Sequence, residues 1–201
     1  MKLKFRHSYQ SDLEQIYKLH AKCFNESDRW YKSSIKHYLN KGIVIENVDK
    51  IIIGVLLQGN ITACNKKIDI EIIEQSANTS DIFDFNNKTN DGTTNDKYHE
   101  DIFIPVSSNG KIFQSKNIHY KELQGIVMIC IDPNLRGKGL AKKLIEKHWM
   151  NNPNKVLCLN TRKSNVNAFM LYKSMGYEHI AFIKNKYFLP NEDSIFMIKE
   201  T

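Results

Sequence analysis

The order of apolar and polar residues in the first part of the chain predicts a strand, two helices and two further strands. The first segment alternates as a strand does, and the next two carry apolar residues at helical spacing. The last two are apolar runs joined by the turn VDK. In chain order these segments are KLKFRHS, SDLEQIYKLHAKCF, WYKSSIKHYL, GIVIENV and KIIIGVLLQGNITAC. Ser11 and Glu14 predict a capping box where the first helix begins.

Strands and helices alternate in the last part of the chain. The run LQGIVMICIDP is almost continuously apolar, which is typical of a central strand buried on both faces. The next segment, GKGLAKKLIEKHWM, predicts a helix. Its core-facing side is predicted to consist of Leu140, Leu144, Ile145 and Trp149. The remaining segments are the strand KVLCLNT, the helix NVNAFMLYKSM ended by Gly176, and the strands YEHIAFI and SIFMIKE. The predicted fold class is α/β, a mixed β-sheet flanked by helices.

A long polar insertion, residues 65–121, precedes the central strand, and its middle reads FNNKTNDGTTNDKYHED. Such a composition buries too little apolar surface to order itself, so we expect a partly flexible segment within a single domain of residues 1–201. DIEIIE and IFIPV inside it are candidates for short edge strands. A lengthened loop without function and a lid on the substrate side are both open interpretations.

Composition places the chain among soluble globular proteins, with 201 residues, 41% hydrophobic and 25% charged. No segment approaches the roughly 20 apolar residues that span a bilayer, and the basic N-terminus lacks the apolar core of a secretory signal, so we expect no membrane partner. The four cysteines form no CxxC pair, which argues against a zinc site or a disulfide framework. We therefore expect reduced cysteines and a cytoplasmic location.

The formal net charge of +7 is spread along the chain without a run of five or more cations. A solvated lysine-rich surface explains this better than nucleic-acid binding, since no aromatic-basic motif accompanies it. The same field would favour a phosphorylated ligand.

The stretch NLRGKGLAKKLIEKH places two glycines where the central strand turns into a helix. The first N–H groups of a helix are unpaired and carry partial positive charge, so such a turn attracts phosphate. Gly137 and Gly139 let the backbone approach an anion closely. The surrounding cations are Arg136, Lys138, Lys142 and Lys143. Together these features predict a pyrophosphate site.

Two common pyrophosphate motifs do not fit this stretch. A P-loop needs a glycine where Asp132 stands and a Ser or Thr where Gly139 stands. A dinucleotide fingerprint needs a third glycine, which the segment GKGLAK lacks.

The pattern Arg136-x-x-Gly139-x-Ala141 resembles the pyrophosphate loop of the GNAT superfamily of acyl-CoA-dependent N-acetyltransferases. A second block, NTRKSNVNAFMLYKSMGYEHI, resembles the strand-helix segment that follows in that family. The resemblance implies a GNAT-like fold, acetyl-CoA as the co-substrate and acetyl transfer to an amine.

Further residues narrow the resemblance to the branch of ribosomal-protein alanine and protein N-terminal acetyltransferases. These are RKSN at residues 162–165, the tail KYFLPNEDSIFMIKE, and CFNESDRWYKSSI, which is similar to the branch's peptide-groove segment. The similarity covers most of residues 1–64 and 122–201.

The resemblance also implies roles for individual residues. Tyr172 matches the general acid that protonates the leaving thiolate, and it contacts the cofactor. Asn165 matches a position that contacts the cofactor arm. The backbone positions that would bind the pantetheine arm are Ile129, Cys130 and Ile131. Those that would hold the pyrophosphate are Arg136, Gly137, Lys138, Gly139, Leu140, Ala141 and Lys142.

On the acceptor side, Tyr187 matches a substrate-side tyrosine and Trp30 is a candidate groove residue, with core packing as the alternative for both. Asn160 stands where the branch often has a glutamate or histidine base, and an amide cannot take a proton near neutral pH. Glu122, His119 and Tyr120 are candidate replacements, unless a water chain accepts the proton or the amine arrives neutral.

Three functions remain in competition. A protein or peptide N-terminal amine is the preferred acceptor, because its pKa of roughly 8 leaves part of it neutral at pH 7. A small-molecule acetyltransferase acting on an amino sugar, polyamine or amino acid is the second. A catalytically degraded acyl-CoA-binding sensor is the third, and Asn160 is its main support.

Overall fold

A mixed eight-stranded sheet with the order β1-β2-β3-β7-β8-β10-β9-β5 organises the computed structural model. The structure describes residues 2–59, 123–188 and 190–200, together with three short strands between them. The strands of the main sheet are β1 (Lys4–His7), β2 (Ile43–Glu46), β3 (Ile52–Gly59), β5 (Ile70–Ile72), β7 (Leu123–Ile131), β8 (Val156–Arg162), β9 (Glu178–Phe188) and β10 (Asn191–Lys199). The helices are α1 (Leu13–Cys23), α2 (Lys32–Tyr38), α3 (Leu140–Met150) and α4 (Val166–Ser174).

Strands β7 and β8 run parallel, and the other neighbours in the main sheet are antiparallel. Two more strands, β4 (Ile61–Cys64) and β6 (Ile102–Pro105), form a separate parallel pair. The mixed α/β fold predicted from the sequence is confirmed. Within residues 65–121 the structure describes β5 and β6, which confirm the strand candidates DIEIIE and IFIPV. The predicted flexibility of the other residues of this insertion lies outside the described residues.

Helices cover both faces of the sheet, and each face has its own apolar core. On one face, α1, α2 and the 3-10 turn after α2 bury Ile16, Leu19, Ile35 and Leu39 against residues of the strands that include Met128 and Cys130. On the other, α3 and α4 bury Leu140, Leu144, Ile145 and Phe169 against residues that include Ile126 and Ile131. Strand β7 therefore contributes to both cores, as its continuous apolar run predicted.

The start of α1 differs from the prediction. Asp12, and not Ser11, caps this turn: its carboxylate accepts from the backbone N–H of Tyr9 at 2.8 Å and pairs with Arg6 at 2.7 Å. The chain makes a 3-10 turn before α1 begins at Leu13, which places Asp12 at the junction. Glu14 pairs with Lys32 instead of reaching back to the turn. The predicted capping box between Ser11 and Glu14 is wrong, because a neighbouring strand supplies a cation that makes Asp12 the better partner.

Two further predictions need correction. The apolar run KIIIGVLLQGNITAC was predicted as one strand, but it divides between β3 and β4, which lie in different sheets. In α3 the fourth buried side chain is His148, whereas Trp149 is 39% exposed. Since residues four apart share a helix face, His148 follows Leu144 into the core. The indole of Trp149 is instead met by the Lys199 ammonium at 4.0 Å.

Two buried histidines make the stability of the fold depend on pH. Both ring nitrogens of His20 lack a hydrogen-bond partner among the described residues, and so does Nε2 of His148. Burial lowers the pKa of both imidazoles from 6.5 to about 4, and Arg29 adds to the effect at His20. Between pH 6.5 and about pH 4, these two histidines bind protons in the unfolded chain and stay neutral in the folded chain. The free energy of unfolding therefore falls as the pH drops from about 6.5 towards 4, and these two histidines do not reduce it above about pH 6.5.

We expect His20→Phe to flatten this pH dependence by roughly 2 kcal/mol, because a phenyl ring keeps the stacking on Phe24 and cannot be protonated. Melting temperatures of the variant and the unmodified protein, measured near pH 7.5 and pH 5, give the difference. The matched control is His7→Phe at an exposed position, which should leave the pH dependence of the melting temperature unchanged. An equal decline in the His20→Phe protein would contradict the account of His20.

Candidate active site

Strands β7 and β8 separate partway along their length. They pair only from Leu123–Ile126 of β7 to Val156–Leu159 of β8. At that point the pairing of β7 with β3 shifts register, which leaves Val127 as an extra residue in β7. A bulge bends its strand, so β7 turns away from β8 just where their pairing stops. The result is a wedge between the two strands, with unpaired backbone along its β7 side.

The predicted pantetheine positions line this wedge. Residues 129–131 pair with β3 on one side, and none of them is in register with β8. On the β8 side, residues 160–162 pair with β10. Backbone groups without a strand partner in such a gap can bind a ligand of amide character, such as a pantetheine arm. The carbonyl of Ile131 already accepts from the Cys23 thiol at 3.3 Å and from Arg136 Nε at 3.4 Å.

The loop after β7 turns through two left-handed glycines. Gly137 has φ of 75° and Gly139 has φ of 72°, in a region that side chains rarely adopt. A Cβ built on either glycine would have no heavy atom within 4 Å, so these positions need glycine for the backbone angle and not for lack of room. The loop starts in a 3-10 turn over Pro133–Leu135, where the carboxylate of Asp132 accepts from the N–H of Asn134 at 3.1 Å.

Helix α3 begins without a side-chain cap. Gly139 is its N-cap residue, and the first turn closes with the bond from Lys143 N–H to the Gly139 carbonyl at 3.2 Å. The N–H groups of residues 140–142 therefore precede the helical ladder and point out of the helix end. Exposed side chains of Arg136, Lys138, Lys142 and Lys143 surround this end. The predicted pyrophosphate residues are thus brought together in the loop and first turn of a helix whose N-terminus carries partial positive charge.

Tyr172 lies in α4 with 5% of its surface exposed. Burial raises the pKa of its phenol well above the usual value, and the nearby Cys130 thiol raises it further. The structure therefore brings the predicted general acid beside the strand that lines the wedge. A phenol with a raised pKa stays protonated at neutral pH, as a proton donor must. The ring meets Tyr177 edge-on, with centroids 5.7 Å apart.

Asn165 caps the start of α4, since its side-chain oxygen accepts from Ala168 N–H at 3.2 Å. Its predicted contact with the cofactor arm stays a prediction, and this oxygen is already engaged in the helix.

Asn160 lies on β8 beyond the last residue that pairs with β7. Its oxygen accepts from the Ser194 hydroxyl at 2.8 Å, and its buried Nδ2 has no partner among the described residues. The side chain therefore offers a hydrogen-bond donor within the open part of the sheet, and it cannot act as a base.

The other predicted acceptor residues are placed less closely together. Trp30 packs against Tyr38, with ring centroids 5.7 Å apart, and is partly buried against the core under α1 and α2. Tyr187 is partly buried on β9, and the Arg162 guanidinium stacks on its ring at 4.2 Å. Glu122, with the alternatives His119 and Tyr120, lies outside the described residues.

Cys23 at the end of α1 was not predicted to belong to the site. Its thiol donates to the carbonyl of Ile131 at 3.3 Å. A hydrogen bond from Cys130 lowers the pKa of this thiol to about 7, with Arg136 acting in the same direction and burial opposing them. Isolated cysteines give no sequence signal, so only the fold could bring this residue to the end of β7.

Comparison with known proteins agrees with this geometry. Residues 101–179 match the family model described as Acetyltransferase (GNAT) domain. Among curated proteins, no sequence is significantly similar to the chain. Within the part of the chain that the structure describes, no helix has the length and apolar character needed to cross a membrane.

Solved structures share the fold over almost the whole chain. The ribosomal-protein-S18-alanine N-acetyltransferase from Escherichia coli has a TM-score of 0.60 and 14% identity, covering 98% of this chain and 93% of that one. Arabidopsis thaliana NAA60 in complex with acetyl-CoA has a TM-score of 0.61 and 17% identity, covering 100% of both chains. A chimera of the spermidine N-acetyltransferase SpeG from Vibrio cholerae and hSSAT has a TM-score of 0.56 and 17% identity, covering 99% of this chain and 95% of that one. The chain has the GNAT fold, and the domain match supports an acyltransferase.

Proposed function

We propose that this acyltransferase of GNAT fold moves the acetyl group of acetyl-CoA to the N-terminal amine of a protein or peptide. The observation that carries the proposal is the uncapped, glycine-led start of α3 at the open end of the wedge, with the protonated Tyr172 beside the same strand. A diphosphate, an amide-containing arm and a leaving thiolate match these three features in that order.

Each part of the chain has a separate task in the transfer. The N–H groups of residues 140–142 and the cations around them hold the diphosphate. Backbone groups of residues 129–131 bind the arm and polarise the acetyl carbonyl. Acetyl-CoA supplies the thioester that the neutral amine attacks: the C–N bond forms, the C–S bond breaks, and the surplus proton on nitrogen passes to water. Tyr172 donates its proton to the departing sulfur, because burial keeps the phenol neutral until that charge develops.

The acceptor is proposed from two lines of support. The sequence resembles the N-terminal acetylating branch at RKSN and in the tail, and the similar folds include the alanine acetyltransferase and NAA60. The spermidine acetyltransferase chimera has the same fold, so a polyamine acceptor is the second candidate.

A panel of acceptors tests the proposal. The full chain is incubated with acetyl-CoA and free-amine peptides, N-blocked lysine peptides, spermidine or amino sugars, and thiol release is followed. Fastest release with free-amine peptides supports the proposal, and a preference for spermidine selects the second candidate. Protection by acetyl-CoA against heat, with no thiol release on any acceptor, would instead indicate a sensor.

The pH dependence of the rate distinguishes these acceptors again. Asn160 supplies no base, so we propose that the amine arrives neutral, and the pH profile tests this against a base at Glu122, His119 or Tyr120. For a peptide N-terminus we expect kcat/KM to rise about tenfold per pH unit up to about pH 8 and then to level off. For spermidine or lysine amines the rise should continue towards pH 10. A profile that levels off near pH 6 would reveal an enzyme base and contradict this account.

A further inference from the structure

Arg162, the last residue of β8, contacts two segments that are far apart in the sequence. Its guanidinium pairs with Asp28, donates to Glu192 Oε2 at 3.2 Å and donates to the Pro190 carbonyl at 3.2 Å. It also stacks on the ring of Tyr187 at 4.2 Å. The side chain is only 16% exposed, so these contacts are largely shielded from water.

The partners come from the two segments that flank the open side of the wedge. Asp28 ends a 3-10 turn between α1 and α2, and Glu192 is the second residue of β10. Glu192 is itself fixed, since it accepts from the backbone N–H of Ser164 and from its hydroxyl at 3.0 Å. The carboxylate cannot follow a substitute side chain without losing those bonds.

We infer that Arg162 is a positioning residue that fixes both walls of the acceptor groove, residues 24–31 and the turn from β9 to β10. The inference rests on the proposed function, because that function makes these segments the acceptor side. A planar guanidinium can serve two carboxylates and an aromatic face at once, whereas a lysine ammonium meets them only as a point charge. The placement of the walls therefore depends on arginine at this position.

Replacement by glutamine tests the inference, and Arg6 offers a matched control. Arg6 also serves two carboxylates, Asp12 and Glu46, each at 2.7 Å, with 18% of its side chain exposed, but it lies on the edge strand β1. We expect Arg162→Gln to raise the acceptor KM about tenfold or more, with the Kd for acetyl-CoA unchanged. Arg6→Gln should lower the melting temperature comparably and leave the acceptor KM as it was. Arg162→Lys should behave like Arg162→Gln.

A second readout needs no acceptor. Hydrogen exchange in residues 24–31 and 187–193 should accelerate in Arg162→Gln and stay unchanged in Arg6→Gln. Asp28→Asn combined with Arg162→Gln should add little to either single variant, because both break the same pair. Unchanged exchange in both segments would overturn the inference, and so would an unchanged acceptor KM. If the unmodified protein acetylates no acceptor, the proposed function fails, while hydrogen exchange still decides whether Arg162 holds the two walls.

Discussion

Tyr172→Phe is expected to lower kcat about a hundredfold and to leave the Kd for acetyl-CoA almost unchanged. The substitution removes one oxygen from a side chain that is 95% buried, so the packing of α4 is kept. What is lost is the proton that the phenol delivers to the departing sulfur. The raised pKa of Tyr172 makes it a donor over the whole neutral range. Single-turnover rates with a good acceptor, together with calorimetric titration of the cofactor, separate the two effects.

Tyr177 provides the control for this substitution. Tyr177 is as buried as Tyr172, and the two rings contact each other edge-on. The Tyr177 hydroxyl has no partner among the described residues. Tyr177→Phe should therefore keep kcat within about twofold of the unmodified enzyme, in contrast to the 10²-fold or larger loss that removal of a general acid causes. Equal kcat values for Tyr172→Phe and the unmodified protein would remove Tyr172 from the mechanism.

Gly139→Glu is expected to weaken coenzyme A binding about a hundredfold or more. A side chain at φ of 72° strains the turn that aims the first N–H groups of α3, and the added carboxylate faces the position proposed for the diphosphate. The Kd follows from calorimetry on the purified chain. The same charge is repelled by phosphate whatever the acceptor is, so the result does not depend on the proposed substrate.

A substitution at Gly176 distinguishes the effect of backbone strain from the effect of a charge placed at the start of α3. It has φ of 83° and lies after α4, where the atoms nearest to an added Cβ belong to the Lys199 side chain at 3.9 Å. Gly176→Glu should cost a similar amount of folding free energy and leave coenzyme A binding intact. Equal binding by the Gly139 and Gly176 variants would show that α3 does not hold the diphosphate.

The mixed sheet, the four helices and the glycine turn could be predicted because each has a local signal. Apolar periodicity fixes the element types, and two glycines before a helix indicate the loop, as at Gly137 and Gly139. The assignment of Trp149 to the core failed for a local reason as well. A helix stripe is wide enough to include either of two adjacent residues, and the sequence does not show that His148 can be buried with only Nδ1 in contact with a polar partner, Asn152 at 3.3 Å.

The features that were not predicted depend on contacts between distant segments. The bulge at Val127 follows from the register between β3 and β7, and the division of the run after β3 follows from the pairing of β4 with β6. The contacts of Arg162 with Asp28 and of Cys23 with Ile131 each join residues more than a hundred positions apart. Spacing along a chain carries no information about such pairs.

The amide resonances of α3 give the most direct test of the central claim that its first N–H groups hold the diphosphate. In two-dimensional nitrogen–proton spectra of the labelled full chain, coenzyme A should shift the signals of Gly137, Gly139 and residues 140–142 more than those of any other loop. Inorganic pyrophosphate should shift the same signals more weakly. Saturable binding that leaves these amides unmoved, or no binding at all, would contradict the account.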